Sequence, residues 1–133
     1  GDAPDEIVHA DQGLTYLSVP GHVFFNSPYV PNHCQLFAPD AVIFAHASAS
    51  FGSWRITPDV PVWIDLCGHV MAEAQAKDAV YDDDSVLDYF MERMMGALFR
   101  GDRFSTVSEA QKYALIGELG LAGRLNARTN GHE

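Results

Sequence analysis

Between Gln12 and Trp54 the chain carries a single formal charge, Asp40, and four prolines, Pro20, Pro28, Pro31 and Pro39. A stretch so poor in charge and so rich in Phe and Tyr is core material or one face of a binding surface. Leaving it in water costs roughly 25 cal/mol per Å² of apolar area. The prolines remove one solution. Each fixes φ and deletes a backbone donor, so no window reaches the ~18 unbroken apolar residues of a membrane span.

The whole chain has 133 residues and is 47% apolar. That length points to a single domain over residues 1–133, large enough to bury a core without staples. Disorder is excluded for most of it by the apolar fraction. The acidic residues 1–11 are expected to be mobile, and residues 129–133 to fray. No basic n-region followed by an apolar h-region opens the chain. The two cysteines, Cys34 and Cys67, are too few for a disulfide framework. Read as free thiols, they point to the cytoplasm.

Charge is distributed unevenly. The net charge is -10. Residues 1–92 hold 14 acidic groups against two basic ones, whereas residues 93–133 hold four against six. Binding to bare nucleic acid or to an anionic membrane needs a basic patch that releases counterions, so both partners are excluded.

Residue patterns give a first set of elements. Leu14–Phe25 reads as a hairpin across Pro20-Gly21, with strands at Thr15–Val19 and His22–Phe25. Cys34–Phe37 reads as a short strand. Ala41–Ser50 is ambiguous between strand and helix, and its aromatic and β-branched content favours strand. Gly52–Ile56 and Val62–Leu66 are further strand candidates. The second of these is open to a helical reading, because Thr57-Pro58 is a plausible helix start.

Helices follow. Val70–Ala79 is Ala-rich. Ser85–Arg100 places Leu87, Phe90, Met91, Met94 and Leu98 on one face, with Asp82, Asp83 and Asp84 ahead of it and Gly101 behind. Thr106 and Glu109 fit a capping box opening a helix to about Leu119. Strands first and helices after reads as α+β: an antiparallel sheet packed on one face by two or three C-terminal helices.

Candidate chemistry begins with His22, His33, His46 and His69, which lie in the same half as Cys34 and Cys67. Imidazole and thiolate suit zinc or another transition metal. The spacing matches no metal motif, and adjacent His33 and Cys34 on a strand would face opposite ways. A small metal-binding protein or metal-dependent enzyme is therefore one reading. If the region around Leu66 is helical, Asp65, His69, Glu73 and Lys77 share a face, as do Asp84, Asp88 and Glu92. Both read as solvated faces. Ser48, Ser50 and Ser53 form no nucleophile elbow. Gly117, Gly120 and Gly123 match neither a P-loop nor a dinucleotide fingerprint. No catalytic residue is assigned, and the balance leans against an enzyme.

The last feature is the acidic run. Asp78, Asp82, Asp83, Asp84, Asp88 and Glu92 follow one another with no basic residue between them. Asp82, Asp83, Asp84, Asp88 and Glu92 are the candidate partner-binding residues. They suit a basic protein surface, because complementary charge speeds encounter and sets register. Such a row also offers carboxylates where nucleic-acid phosphates would lie. Met91, Met94, Met95 and Phe99 on the same helix suit an adaptable interface or a homodimer. The expected function is an acidic protein-binding module of inhibitor, immunity or chaperone type. An accessory subunit of a larger assembly is the third reading.

Overall fold

The computed structural model describes residues 7–26, 28–57 and 59–131, with residues 7–10 as backbone only. The chain divides into two compact units, Gly1–Ala38 and Pro39–Glu133.

In the first unit, β1 (Ile7–Asp11) pairs antiparallel with β2 (Leu14–Ser18). Gln12 and Gly13 form the two-residue turn with φ of 48° and 85°. Positive φ at both central residues gives the turn the twist of its flanking strands. The hairpin therefore lies earlier than Leu14–Phe25. The expected mobile segment 1–11 is a strand from Ile7, and its first six residues lie outside those described. His22–Phe25 and Cys34–Phe37 are not strands. They belong to α1 (Gly21–Asn26) and α2 (Tyr29–Phe37). The prolines read as turn markers instead open these helices: the Pro20 carbonyl accepts the N–H groups of Val23 and Phe24, and that of Pro28 accepts Asn32. Pro31 sits in the first turn of α2, where its missing N–H has no intrahelical partner to lose. Ala38, at φ 49°, ends α2.

The second unit holds β3 (Val42–Ala45), α3 (Ala47–Ser50), a 3₁₀ turn (Ser53–Arg55), β4 (Val62–Leu66), α4 (Val70–Tyr81), α5 (Ser85–Arg100), β5 (Arg103–Thr106) and α6 (Glu109–Leu121). Its sheet has the order β3-β4-β5 and is parallel throughout. This overturns the antiparallel sheet. The error came from β5, which is four residues long and lies between two helices. With β5 in place, strands and helices alternate, and each strand returns through a crossover. The fold remains α+β, with this sheet and six helices among the described residues. The ambiguous Ala41–Ser50 is both strand and helix. Gly52–Ile56 is a 3₁₀ turn rather than a strand.

Alternation along the strands defines two faces. Phe44, Val62, Ile64 and Leu66 are buried with Val70, Ala74, Met94, Ala97, Leu98 and Leu115 from the helices. On the other face Ile43 is 62% and Trp63 45% exposed. At α6 the N-cap is Ser108, not Thr106, and its side chain accepts the N–H of Gln111. Gln111 is buried and ties α6 to β4 by donating to the carbonyls of Leu66 and Gly68. The C-terminal segment is held at Thr129, which hydrogen-bonds to Asn126 and Arg124. Among the described residues no helix is long and apolar enough to cross a membrane.

Candidate functional site

The acidic run lies at the α4–α5 corner and along the outer side of α5. Asp82 adopts φ 52° at the end of α4. Asp83 accepts hydrogen bonds from the N–H and hydroxyl of Ser85. Asp84 is the N-cap position of α5 but makes no side-chain cap bond. The three border a groove of about 340 Å³. Asp78 stands apart: it is 5% exposed and its carboxylate accepts the N–H groups of Val86 and Leu87. It caps a helix, and the surface run begins at Asp82.

Along α5, Asp84, Asp88, Glu92, Met95 and Phe99 follow one another at steps of four, four, three and four residues, which sets them on one face. All five are exposed. Met91 is on this side too, at 48% exposure, which corrects its assignment to the core face. Met94 and Leu98 are buried as expected. The outer side of α5 is thus acidic toward its N-terminus and apolar toward its C-terminus. Arg93 does little to neutralise it. Its guanidinium lies 3.2 Å from the ring centroid of Tyr89 and 4.6 Å from that of Phe51, and it donates to the Tyr89 carbonyl. Glu92 reaches it only at 4.0 Å.

The six candidate metal ligands are spread over both units. His22 is on α1, while His33 and Cys34 are successive residues of α2, where the ring of His33 stacks on Tyr29. His46, Cys67 and His69 follow the C-terminal ends of β3 and β4. Among the described residues no group of three or more His, Cys, Asp or Glu side chains is placed to hold a metal ion. The cysteines are not bonded to each other. Burial pushes the Cys34 thiol above its ordinary value, which keeps it protonated and poorly nucleophilic. The proposed Asp65–Lys77 stripe does not exist as one helix face, because Asp65 is in β4.

His46 and His69 have definite local work. Each is an N-cap whose Nδ1 accepts a backbone N–H, from Ser48 and Ala72 respectively. A ring with Nδ1 as acceptor carries its proton on Nε2 when neutral. His46 adopts φ 75°, unusual for a residue with a side chain. The Nε2 of His69 lies 3.6 Å from Glu118. Burial pushes the Glu118 carboxyl above its usual range, with His69 pulling the other way.

One polar chain was invisible in the sequence. On the open sheet face Trp63 Nε1 donates to Ser105 Oγ at 2.9 Å, and Ser105 donates in turn to Asp65. The register that pairs Asp65 with Ser105 creates it. No local motif announces a contact between residues 40 positions apart.

Comparison with protein-family models, with curated proteins and with solved structures returned no match.

Proposed function

We propose that this chain is a protein-binding module of inhibitor, immunity or chaperone type, with the outer side of α5 as its docking face. The observation that supports it is the exposed row from Asp84 to Phe99. Its partner is a basic amphipathic segment. Cations meet Asp84, Asp88 and Glu92, while apolar side chains cover Met91, Met95 and Phe99. Thioether side chains adapt to irregular partners. Carboxylates four residues apart on a helix rise about 6 Å per step. That spacing gives the row a linear negative charge of the kind a nucleic-acid-binding protein meets.

The test uses a synthetic helical peptide with Lys and Arg on one side and Leu on the other. The expected result is saturable binding that weakens steeply with salt, since exposed charges are screened beyond about 8–10 Å. Met95→Asp should weaken it, and Asp88→Asn with Glu92→Gln should slow association. Absent binding, or an affinity flat from low to high salt, rejects the reading. Co-purification from the native host then identifies the partner.

A second reading, an accessory subunit of a larger assembly, is favoured by the first unit. From Asp11 to Ala38 no described side chain is buried, and Leu36 and Phe37 are 84% and 81% exposed. The charge-poor block, expected as core or as one face of a binding surface, thus supplies no buried residue before Phe44 among the described residues. Contiguous exposed apolar area marks interaction surfaces. A clean monomer in gel filtration, with no tendency to associate, counts against this reading.

A further inference from the structure

The chain has eight Lys and Arg residues against 18 acidic ones, yet three of the eight line one cavity. That cavity, of about 260 Å³, lies between β5, α6 and the segment that follows α6. Its walls include Phe104, Leu115, Leu119 and Leu125, so its body is apolar. Lys112 and Arg124 bring positive charge to it, while Arg103, paired with Trp63 in the sheet, lines it through its main chain and carries its side chain on the open sheet face. The carboxylate on its lining, Asp102, is already engaged: it pairs with Arg100 at 2.8 Å and accepts the N–H of Val62 at 2.9 Å.

The three cations differ in freedom. Arg124 donates to the carbonyls of Leu98, Phe99 and Gly101, which fixes its guanidinium while leaving its charge in place. Among the described residues, Arg103 and Lys112 have no carboxylate within ion-pair distance. An apolar pocket with a few converging polar groups is the usual form of a small-molecule site, and this one is just below the common range of ~300–1,000 Å³.

We propose that this cavity binds a small amphipathic carboxylate, its apolar chain against Phe104 and the α6 leucines and its anionic head toward Lys112. A neutral ligand gains no charge pairing from Lys112, and a cationic one is repelled by it. The site is separate from the outer face of α5 and stands or falls without it.

The test is calorimetric titration of the full chain with octanoate, octylammonium and octan-1-ol. Octanoate should bind with a stoichiometry of one and the other two much more weakly. Lys112→Met keeps the side chain's length and removes its charge. It should weaken octanoate about tenfold, the scale of one lost charged hydrogen bond, whereas Arg103→Gln, on the other sheet face, should change it little. Both residues are outside the buried core, so both variants should fold. Undetectable octanoate binding overturns the proposal. So do equal binding of all three probes and octanoate binding indifferent to Lys112→Met.

Discussion

The carboxylate of Asp78, near the end of α4, accepts the backbone N–H of Leu87 in α5 at 2.7 Å. Its second oxygen accepts the N–H of Val86 at 3.2 Å. Two of the donors left free at the start of any helix are satisfied from the preceding helix. The negative charge also faces the positive end of the α5 dipole. Removing this cap should therefore destabilise the fold. Asp78→Ala is expected to lower unfolding free energy by about 1–3 kcal/mol, and Asp78→Asn by less, because one oxygen remains. Asp88→Asn, on the exposed side of α5, should stay within about 0.5 kcal/mol. Urea denaturation of the three variants checks the ordering.

Gln111 offers a second test of buried polar pairing. Its amide donates to Leu66 at 3.2 Å and Gly68 at 2.6 Å, and its oxygen accepts the N–H of Val107 at 3.1 Å. Gln111→Leu should cost about 1–3 kcal/mol through the unpaired groups it leaves. Gln111→Glu should cost more at neutral pH, since a carboxylate oxygen would then face two carbonyls. Equal melting temperatures for the two variants would contradict this account.

Methionines on α5 should divide by side. Met94 is 5% exposed and belongs to the core; Met91 and Met95 are 48% and 40% exposed. Met94→Ala is expected to cost about 2–5 kcal/mol. Met91→Ala and Met95→Ala should each stay within about 0.5 kcal/mol. Chemical denaturation measures all three.

Two carboxyls should pull stability in opposite directions on acidification. At Asp102 partial burial acts to raise the carboxyl's value, but the Val62 N–H and Arg100 outweigh it, with Arg124 adding, so it titrates below its ordinary range. Its stabilisation is present above the ordinary value of about 3.9 and is lost as pH falls through the lower folded value. Glu118 titrates higher when folded, because burial disfavours its charge more than His69 favours it. It penalises the fold above that raised value, and the penalty lifts as pH falls through it toward about 4.3. Asp102→Asn should flatten the acid loss, and Glu118→Gln should remove the opposing gain. Denaturation midpoints between about pH 3 and 7 separate the two.

Local information was enough for the elements whose cause is local. The apolar period of Ser85–Arg100, its preceding aspartates and Gly101 define α5 without help from the rest of the chain. The same is true of the Ala-rich α4, whereas Val62–Leu66 was open to strand or helix and is a strand between β3 and β5. The acidic row was legible for the same reason, since residues four apart on a helix are neighbours. Prolines misled at α1 and α2, because the same residue serves a turn and a first helical turn. Strand direction was not legible. β5 is four residues long, and it is a strand because β4 lies beside it. Once Trp63 pairs with Arg103 and Asp65 with Ser105, the sheet is parallel, and the Trp63–Ser105–Asp65 chain follows. The cavity is likewise built by β5, α6 and the segment after α6 together. Periodicity and capping act over a few residues and can be read from composition. Register and enclosure join residues some 40 positions apart, and only the folded chain brings them within reach.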